Sequence, residues 1–415
     1  MDFQRLGKEI AVHTLEMTRS IIDKYKARIT GTKACLMAAK DIAKAFTGHC
    51  DSVNEETFDV HPGALWNAGR GATLAYILAF ILLAIGGVCV YISMGVCLAA
   101  MLYVVSHYFC FGRLFDRLFR RTTGCNITGT IEPVQPARQQ ILVVGHHDSP
   151  FVMSFMERAQ KWAGLRLGLA AGAYLYITVL SITAGLEQAI GGSTWALYGA
   201  HILIALVGLV LVSQLFFVQT RRPSPGAGDN LNASAIAASM AGYFATQKKM
   251  GKPLQHTKVI FLSTDAEEAG LKGACAFAAK YRAQLRGLPT YVFNIDSVYA
   301  LEHLACITRD CHGGVPLSKR MAEEVCDTAR KLGYKMKQVA LGLGGGGTDA
   351  AAFARAGIEA TTIIGMSTSV FDEGRVYHTL GDTVESIAPE AVEAVLDIGV
   401  NYILKKDEEA LLVES

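Results

Sequence analysis

Two long apolar segments dominate this sequence and restrict what the chain can fold into. No Asp, Glu, Lys or Arg occurs from Gly71 to Gly112. A single helix of that length would measure about 60 Å, whereas the hydrocarbon core of a bilayer is about 30 Å thick. We therefore predict a transmembrane hairpin in place of one long helix. Its two spans are expected near 72–91 and 94–111, with the turn near Ser93 and Gly95.

The second apolar segment runs from Leu167 to Thr220 and contains a single charged residue, Glu187. A Gly-Gly-Ser-Thr sequence at 191–194 divides it, so we predict a second hairpin. Each half is long enough to cross a bilayer and too long for a buried strand. Helices buried in a large soluble core are the alternative, but the chain is 51% hydrophobic and only 18% charged. The two spans are expected near 167–185 and 196–218.

Basic residues mark the outer ends of both hairpins and are absent from both hairpin turns. Because Lys and Arg near short loops are retained on the cytosolic side, we expect an integral membrane protein with four spans. Its polar domain and both termini are expected in the cytosol. The basic residues concerned are Arg70, Arg113, Arg117, Arg120, Arg121, Arg158, Lys161, Arg166, Arg221 and Arg222.

The overall charge and the cysteines restrict the possible binding partners and the cellular compartment. The formal net charge is +2, and the basic residues cluster at the predicted membrane edges, so the sequence gives no indication of nucleic-acid binding. The ten cysteines contain no C-x-x-C pair, which is typical of reduced thiols in the cytosol. The partner expected from these features is the lipid bilayer.

The polar segments outside the hairpins predict a single α/β unit. Residues 1–48 have the pattern of two helices, and 229–243 predicts a helix that starts at an Asp-Asn N-cap. Short, almost continuous apolar runs are typical of a mostly parallel sheet that is covered on both faces. The predicted strands are 56–60, 126–131, 140–144, 258–262, 290–295, 305–308 and 360–364.

Five candidate metal ligands lie where apolar runs end. Two imidazoles and three carboxylates form a ligand set that zinc accepts, and Glu267 supplies a further carboxylate for a water molecule. In open α/β sheets, ligands bind beyond the carboxyl ends of the strands, where several of these residues are predicted. The pattern indicates metal-assisted hydrolysis. The five residues are His146, Asp229, Glu268, Asp296 and His378.

Each motif also has a simpler interpretation. His146, next to Asp148, could be an ordinary surface histidine, and Asp229 could only cap a helix. A solvated acidic turn would explain Glu267 and Glu268 equally well. The recurrence of such groups after successive apolar runs is what favours a metal site.

These motifs resemble the co-catalytic di-zinc aminopeptidases of metallopeptidase clan MH, which are related to aminopeptidase Y and bacterial leucyl aminopeptidase. The resemblance covers nearly all of the polar sequence. It implies a three-layer αβα zinc-peptidase fold with a mixed, mostly parallel central sheet, here interrupted by four transmembrane helices. The segments that carry it are NITGTIEP, GHHDSP, GAGDNLNAS, DAEEAGLKGA, FNIDSV, GGTDAAAFARAGI and VYHTLGDT.

The resemblance also implies roles for individual residues. Glu267 would be the general base, and Tyr377 matches a position that supports the oxyanion in some members. The implied activity is that of a zinc-dependent exopeptidase that removes N-terminal residues from peptides with a free amino terminus. Two divalent ions, expected to be Zn²⁺, would be held by His146, Asp229 and Asp296, and by Asp229, Glu268 and His378, with Asp229 bridging.

The chain departs from these enzymes in its two inserted hairpins. Because Asp229 follows Arg221 closely, extended chain places it at most about 29 Å from the membrane edge. We therefore expect action on peptides delivered at, or released from, the membrane. The predicted organisation is a peptidase domain at 1–70, 113–157 and 223–415, the last with most of the metal site, and hairpins at 71–112 and 158–222.

Other functions are compatible with parts of the sequence. A non-catalytic receptor or scaffold on a peptidase fold would not need Glu267. A transporter regulated by its soluble domain is disfavoured because the predicted spans contain almost no charge. Among enzymes, a related glutaminyl cyclase or a carboxypeptidase remains an alternative.

Overall fold

The computed structural model describes residues 4–158, 160–191, 195–368 and 374–412. Within these residues, a nine-stranded sheet forms the centre of the polar domain, and two further strands form a small separate sheet. The strands are β1 (Ser52–Val60), β2 (Thr122–Ile131), β3 (Gln139–His146), β4 (Phe151–Met153), β5 (Gln219–Pro223), β6 (Thr257–Thr264), β7 (Thr290–Val298), β8 (Leu304–Asp310), β9 (Val315–Pro316), β10 (Lys337–Ala340) and β11 (Glu359–Gly365).

Helices cover both faces of the central sheet and form a separate apolar bundle. The two helices predicted within 1–48 are confirmed as the first two helices of the chain. The helices are α1 (Lys8–Tyr25), α2 (Lys33–Thr47), α3 (Gly63–Trp66), α4 (Ala68–Ile85), α5 (Cys89–Val104), α6 (Ser154–Glu157), α7 (Ala163–Ala189), α8 (Trp195–Phe216), α9 (Asn232–Lys249), α10 (Lys272–Lys280), α11 (Arg282–Gly287), α12 (Lys319–Lys331), α13 (Ala350–Arg355) and α14 (Pro389–Leu412).

The central sheet is mixed. Its strand order is β1-β2-β6-β3-β7-β11-β8-β10, and β9 pairs with β8. The neighbours β6, β3, β7 and β11 run parallel, whereas β1–β2, β2–β6 and β11–β8 are antiparallel. At one edge, β10 also runs parallel to β8. The expectation of a mostly parallel sheet therefore holds only in part. One reason is the short connection from β7 to β8, which cannot carry the chain through a parallel crossover.

Alternate residues of the central strands enter two different cores. In β3, Ile141 and Val143 belong to the core that also contains residues of α1, α9 and α14. Leu142 and Val144 belong to the core under α10 and α13. Because both faces are buried, the strand needs apolar residues at successive positions, which explains its unbroken apolar run.

Three helices in the described part of the chain are long and apolar enough to cross a membrane: Ala68–Ile85, Cys89–Phe109 and Gln160–Ala189. The prediction of four spans is thus corrected to three candidates. The fourth predicted span corresponds to α8, whose described apolar portion is the shorter His201–Phe216.

The turn of the first hairpin lies earlier than predicted. Gly86 and Gly87 adopt φ angles of 75° and 57° between α4 and α5, a left-handed conformation that suits glycine. Ser93, where the turn was expected, lies inside α5, and its hydroxyl is 2.9 Å from that of Ser181 in α7. The predicted turn of the second hairpin falls largely on 192–194, outside the described residues.

The apolar bundle buries small and polar residues together with several large apolar ones, and it also carries large apolar residues on its outside. Ala72, Ala79 and Ser93 are buried in it. In contrast, Leu74 is 57% exposed and Val207 is 61% exposed. Close packing of small residues with an apolar exterior is typical of helices that face lipid.

Candidate metal centre

Three of the predicted ligands lie at one edge of the central sheet. His146 is the last residue of β3 and pairs with Thr264, the last residue of β6. Glu267 and Glu268 follow in the next turn. Since Val144 pairs with Asn294 in β7, Asp296 is level with His146. The three strands run parallel, so their carboxyl ends bring these side chains together, as expected from the strand pattern.

The other two predicted ligands come from irregular backbone. Asp229 lies in a wide turn, Ala227–Leu231, that precedes α9. The helix begins at Asn232 without a side-chain cap, so the helix-cap interpretation of Asp229 is wrong. His378 lies in the loop between β11 and α14 with a φ of 54°. A non-glycine residue in this left-handed region is uncommon and is frequently found at functional sites.

Asp229 is the centre of the cluster, because its two oxygens face different imidazoles. Asp229 Oδ1 is 3.4 Å from His146 Nε2, and Asp229 Oδ2 is 3.1 Å from His378 Nε2. His378 Nε2 is also 3.3 Å from Glu268 Oε1. Glu267 Oε2 is 3.7 Å from His146 Nε2. The structure therefore brings together all the predicted ligands and the adjacent glutamate.

The donor atoms fit divalent metal ions. His146 Nε2, His378 Nε2 and Asp229 Oδ2 are buried and have no hydrogen-bond partner among the described residues. Buried polar atoms without partners are costly, and coordination of a cation would satisfy these three. Potential ligand atoms lie within 4.8 Å of one another in two groups: His146 with Glu267 and Asp296, and His146 with Asp229 and Glu268. Imidazoles and carboxylates are ligands that zinc accepts.

Burial and mutual repulsion perturb the acidic groups of the cluster. Burial raises the pKa of Glu268 to about 7 and holds the pKa values of Glu267 and Asp296 well above their usual range. For Asp229 burial acts in the same direction, but the adjacent imidazoles of His146 and His378 outweigh it and lower its pKa below the usual range. Bound cations would reverse this repulsion and favour the ionised carboxylates.

The neighbouring carboxylates raise the pKa values of the two imidazoles. Burial lowers the pKa of His378, but Glu268 and Asp229 outweigh it and raise the pKa to about 10. Each imidazole thus lies in a strongly negative environment. Such an environment attracts cations.

Tyr377 lies beside the cluster. Its ring stacks on that of His378, with the ring centroids 4.1 Å apart. Burial and the nearby carboxylates, Asp229 and Glu268 first among them, raise its pKa well above the usual range. The phenol therefore stays protonated and can donate a hydrogen bond.

Asp148 contacts both His146 and the acidic turn. Its Oδ1 is 3.3 Å from His146 Nδ1. Its two oxygens also accept the backbone N–H groups of Glu267 and Glu268, at 3.2 Å each. One carboxylate thereby positions an imidazole and the acidic turn.

Two further buried carboxylates near the site were not predicted from the sequence. Asp382 accepts the backbone N–H of Gly228 at 2.8 Å and that of Asp229 at 3.3 Å. Asp349 accepts a hydrogen bond from the Thr264 hydroxyl at 2.5 Å, and its other oxygen has no partner. Both residues lie within motifs noted in the sequence, GGTDAAAF and VYHTLGDT. The acidic residues of these motifs could have indicated them as candidate site residues.

The central sheet carries histidines and carboxylates at its carboxyl edge, a set of side chains that zinc accepts as ligands. Residues 212–403 match the family model described as Peptidase family M28. This segment is therefore similar to the M28 peptidases, and the resemblance predicted from the motifs is confirmed. No curated protein sequence matches the chain significantly.

Solved structures with the same fold include both peptidases and cyclases. A leucine aminopeptidase precursor from Bacteroides thetaiotaomicron is 12% identical, with a TM-score of 0.57, over 97% of this chain and 98% of the other. A zinc aminopeptidase from Bacillus subtilis is 16% identical, with a TM-score of 0.55, over 95% of each chain. A glutaminyl cyclase from Fimbriiglobus ruber is 14% identical, with a TM-score of 0.54, over 97% and 96%.

Proposed function

We propose that this chain is a membrane-anchored metallo-aminopeptidase that removes N-terminal residues from peptides. The observation that carries the proposal is the convergence of His146, Asp229, Glu268, Asp296 and His378, with buried donor atoms that have no partner. Two bound divalent ions, expected to be Zn²⁺, would lower the pKa of a shared water and polarise the peptide carbonyl.

Glu267 is suited to proton transfer. Its carboxylate reaches the cluster at His146 Nε2. It would accept a proton from the attacking water and return it to the leaving amine, as a general base and then a general acid. Tyr377, which stays protonated, would donate a hydrogen bond to the oxygen that becomes negative as the carbonyl is attacked.

The charge of the site favours a substrate with a free amino terminus. The carboxylates of Glu268, Asp296 and Asp349 each repel that of Glu267. A substrate ammonium group would reduce this repulsion, whereas a blocked amino terminus would not. The peptide would thereby be held with its first residue near Glu267.

Membrane anchoring is supported by the apolar bundle. Three candidate spans pack together, and their exterior carries large apolar side chains. A soluble monomer rarely exposes so large an apolar surface. The basic residues at the hairpin ends favour a cytosolic peptidase domain.

The most direct test uses the full chain purified in detergent. It should release amino acids from peptides with free amino termini but not from N-blocked peptides, and a chelator should abolish the release. Cleavage of blocked peptides, or no cleavage of any peptide, would contradict the proposal. A peptide with N-terminal glutamine distinguishes the second candidate function, that of a glutaminyl cyclase, from an aminopeptidase. A cyclase would release ammonia and leave every peptide bond intact.

A further inference from the structure

The first hairpin is attached at one end to the loop that carries Glu267 and Glu268, and at the other end to Lys272, the first residue of the helix that follows this loop. Before α4, the Trp66 indole Nε1–H donates to the backbone oxygen of Glu268 at 3.0 Å. After the second span of this hairpin, the backbone oxygen of Gly112 accepts from Lys272 Nζ at 2.6 Å. The acidic turn and the start and end of the hairpin therefore form one hydrogen-bonded unit.

The second hairpin is attached in the same way to the loop that carries His378. Its two ends are joined, because Met153 of β4 pairs with Gln219 of β5. The Met153 N–H then donates to the backbone oxygen of His378 at 2.9 Å. The Ser224 hydroxyl, just beyond β5, donates to the backbone oxygen of Thr379 at 2.7 Å.

These contacts place the ligand cluster close to the level of the bilayer surface. Arg70 is the last charged residue before the apolar part of α4, only one helical turn, about 6 Å, beyond Trp66. Its guanidinium donates to the Gln219 oxygen at 3.0 Å, so the two hairpins leave the polar domain at the same level. Arg and Trp side chains at the ends of spans are typical of the headgroup region. Glu268 is thus on the order of 10 Å from the hydrocarbon.

We infer that the preferred substrates are peptides anchored in the same bilayer by an apolar segment that begins a few residues after their free amino terminus. This inference rests on the proposed aminopeptidase function. A gap of about 10 Å is bridged by about three extended residues, whereas a site 30 Å away would need about nine. Anchoring in the same membrane also raises the effective concentration of the substrate, to the millimolar range for short links.

The test reconstitutes the full chain in liposomes together with a transmembrane peptide. Between the free amino terminus and the apolar segment, the peptide carries a spacer of about six or about fifteen residues. A soluble peptide with the same N-terminal sequence is the matched control, and the Glu267→Gln variant gives the background. The substrate carrying the short spacer should be cleaved at least about tenfold faster than the soluble peptide at equal total concentration. The same substrate in separate liposomes should stay intact.

The possible outcomes distinguish this inference from the function on which it rests. Equal rates for the anchored and soluble peptides would overturn the inference and leave the aminopeptidase function standing. Cleavage of the long-spacer substrate alone would also overturn it, because the site would then lie far from the bilayer. If no substrate is cleaved, including the soluble peptide, the proposed function itself fails.

Discussion

At the scale of single residues, Asp229 holds the two halves of the cluster together. Each of its oxygens faces a different imidazole, so its loss would separate His146 from the pair formed by His378 and Glu268. Glu267, in contrast, contacts the cluster without lying between two imidazoles. Removal of its charge should therefore affect proton transfer more than metal retention.

Glu267→Gln should retain metal and lose activity. The amide has nearly the shape of the carboxylate but cannot accept the proton of the attacking water, so kcat should fall by about 10²–10⁴-fold. Metal content by elemental analysis and kcat for a free-amino-terminus peptide check this. His378→Ala is the contrasting variant and should lose metal as well as activity. Unchanged kcat in Glu267→Gln would remove this residue from the mechanism.

Asp382→Asn should weaken metal binding without unfolding the chain. An amide has a single acceptor oxygen for the two N–H groups, of Gly228 and Asp229, that this carboxylate now accepts. The bridging ligand would be held less firmly, and metal affinity should fall by about 10–100-fold. A chelator competition measures this affinity.

Asp407→Asn is the matched control. Asp407 is also a buried carboxylate that accepts backbone N–H groups, but it binds Thr257 at the opposite end of β6 from the site. Its substitution should lower the free energy of unfolding and leave metal affinity unchanged. If both variants lose affinity equally, Asp382 has only a general structural role.

At the scale of elements, residues at strand ends could be predicted from the local pattern, whereas the loop contacts of Asp382 could not. His146, Glu268 and Asp296 were found because each follows an apolar run, and a sheet edge gathers such residues. The connection made by Asp382 depends on how the loop after β11 folds against residues 226–229, which no local pattern specifies. The direction of β8 and the turn at Gly86 were similarly set by short connections and glycine conformation.

The packing of α4 against α8 can be tested with a glycine pair. A Cβ at Gly208 would lie 2.2 Å from Tyr76 Oη, whose hydroxyl bonds to the Ala205 oxygen, whereas a Cβ at Gly172 would meet nothing within 4 Å. Gly208→Ala should therefore destabilise the bundle by about 1–3 kcal/mol. Gly172→Ala should be neutral or stabilising, because alanine favours helix by about 1 kcal/mol over glycine. Thermal unfolding in detergent compares them, and equal effects would contradict this packing.

At the scale of the whole molecule, each hairpin leaves and re-enters the polar domain at one place. Val60 of β1 pairs with Thr122 of β2 across the first insert, and Met153 pairs with Gln219 across the second. Each hairpin is thus flanked by two strands that pair with each other. Both hairpins can therefore be inserted without interrupting the central sheet. The division of the chain into five segments remains a prediction from the sequence.

The central claim is that five residues hold a pair of metal ions, and the metal content of the purified, folded full chain tests it most directly. We expect about two divalent ions per wild-type chain and a reduced metal content in His378→Ala. Asp229→Ala should lose nearly all metal, because this substitution removes the shared ligand. A well-folded wild-type chain that contains no metal after exposure to zinc would contradict the account.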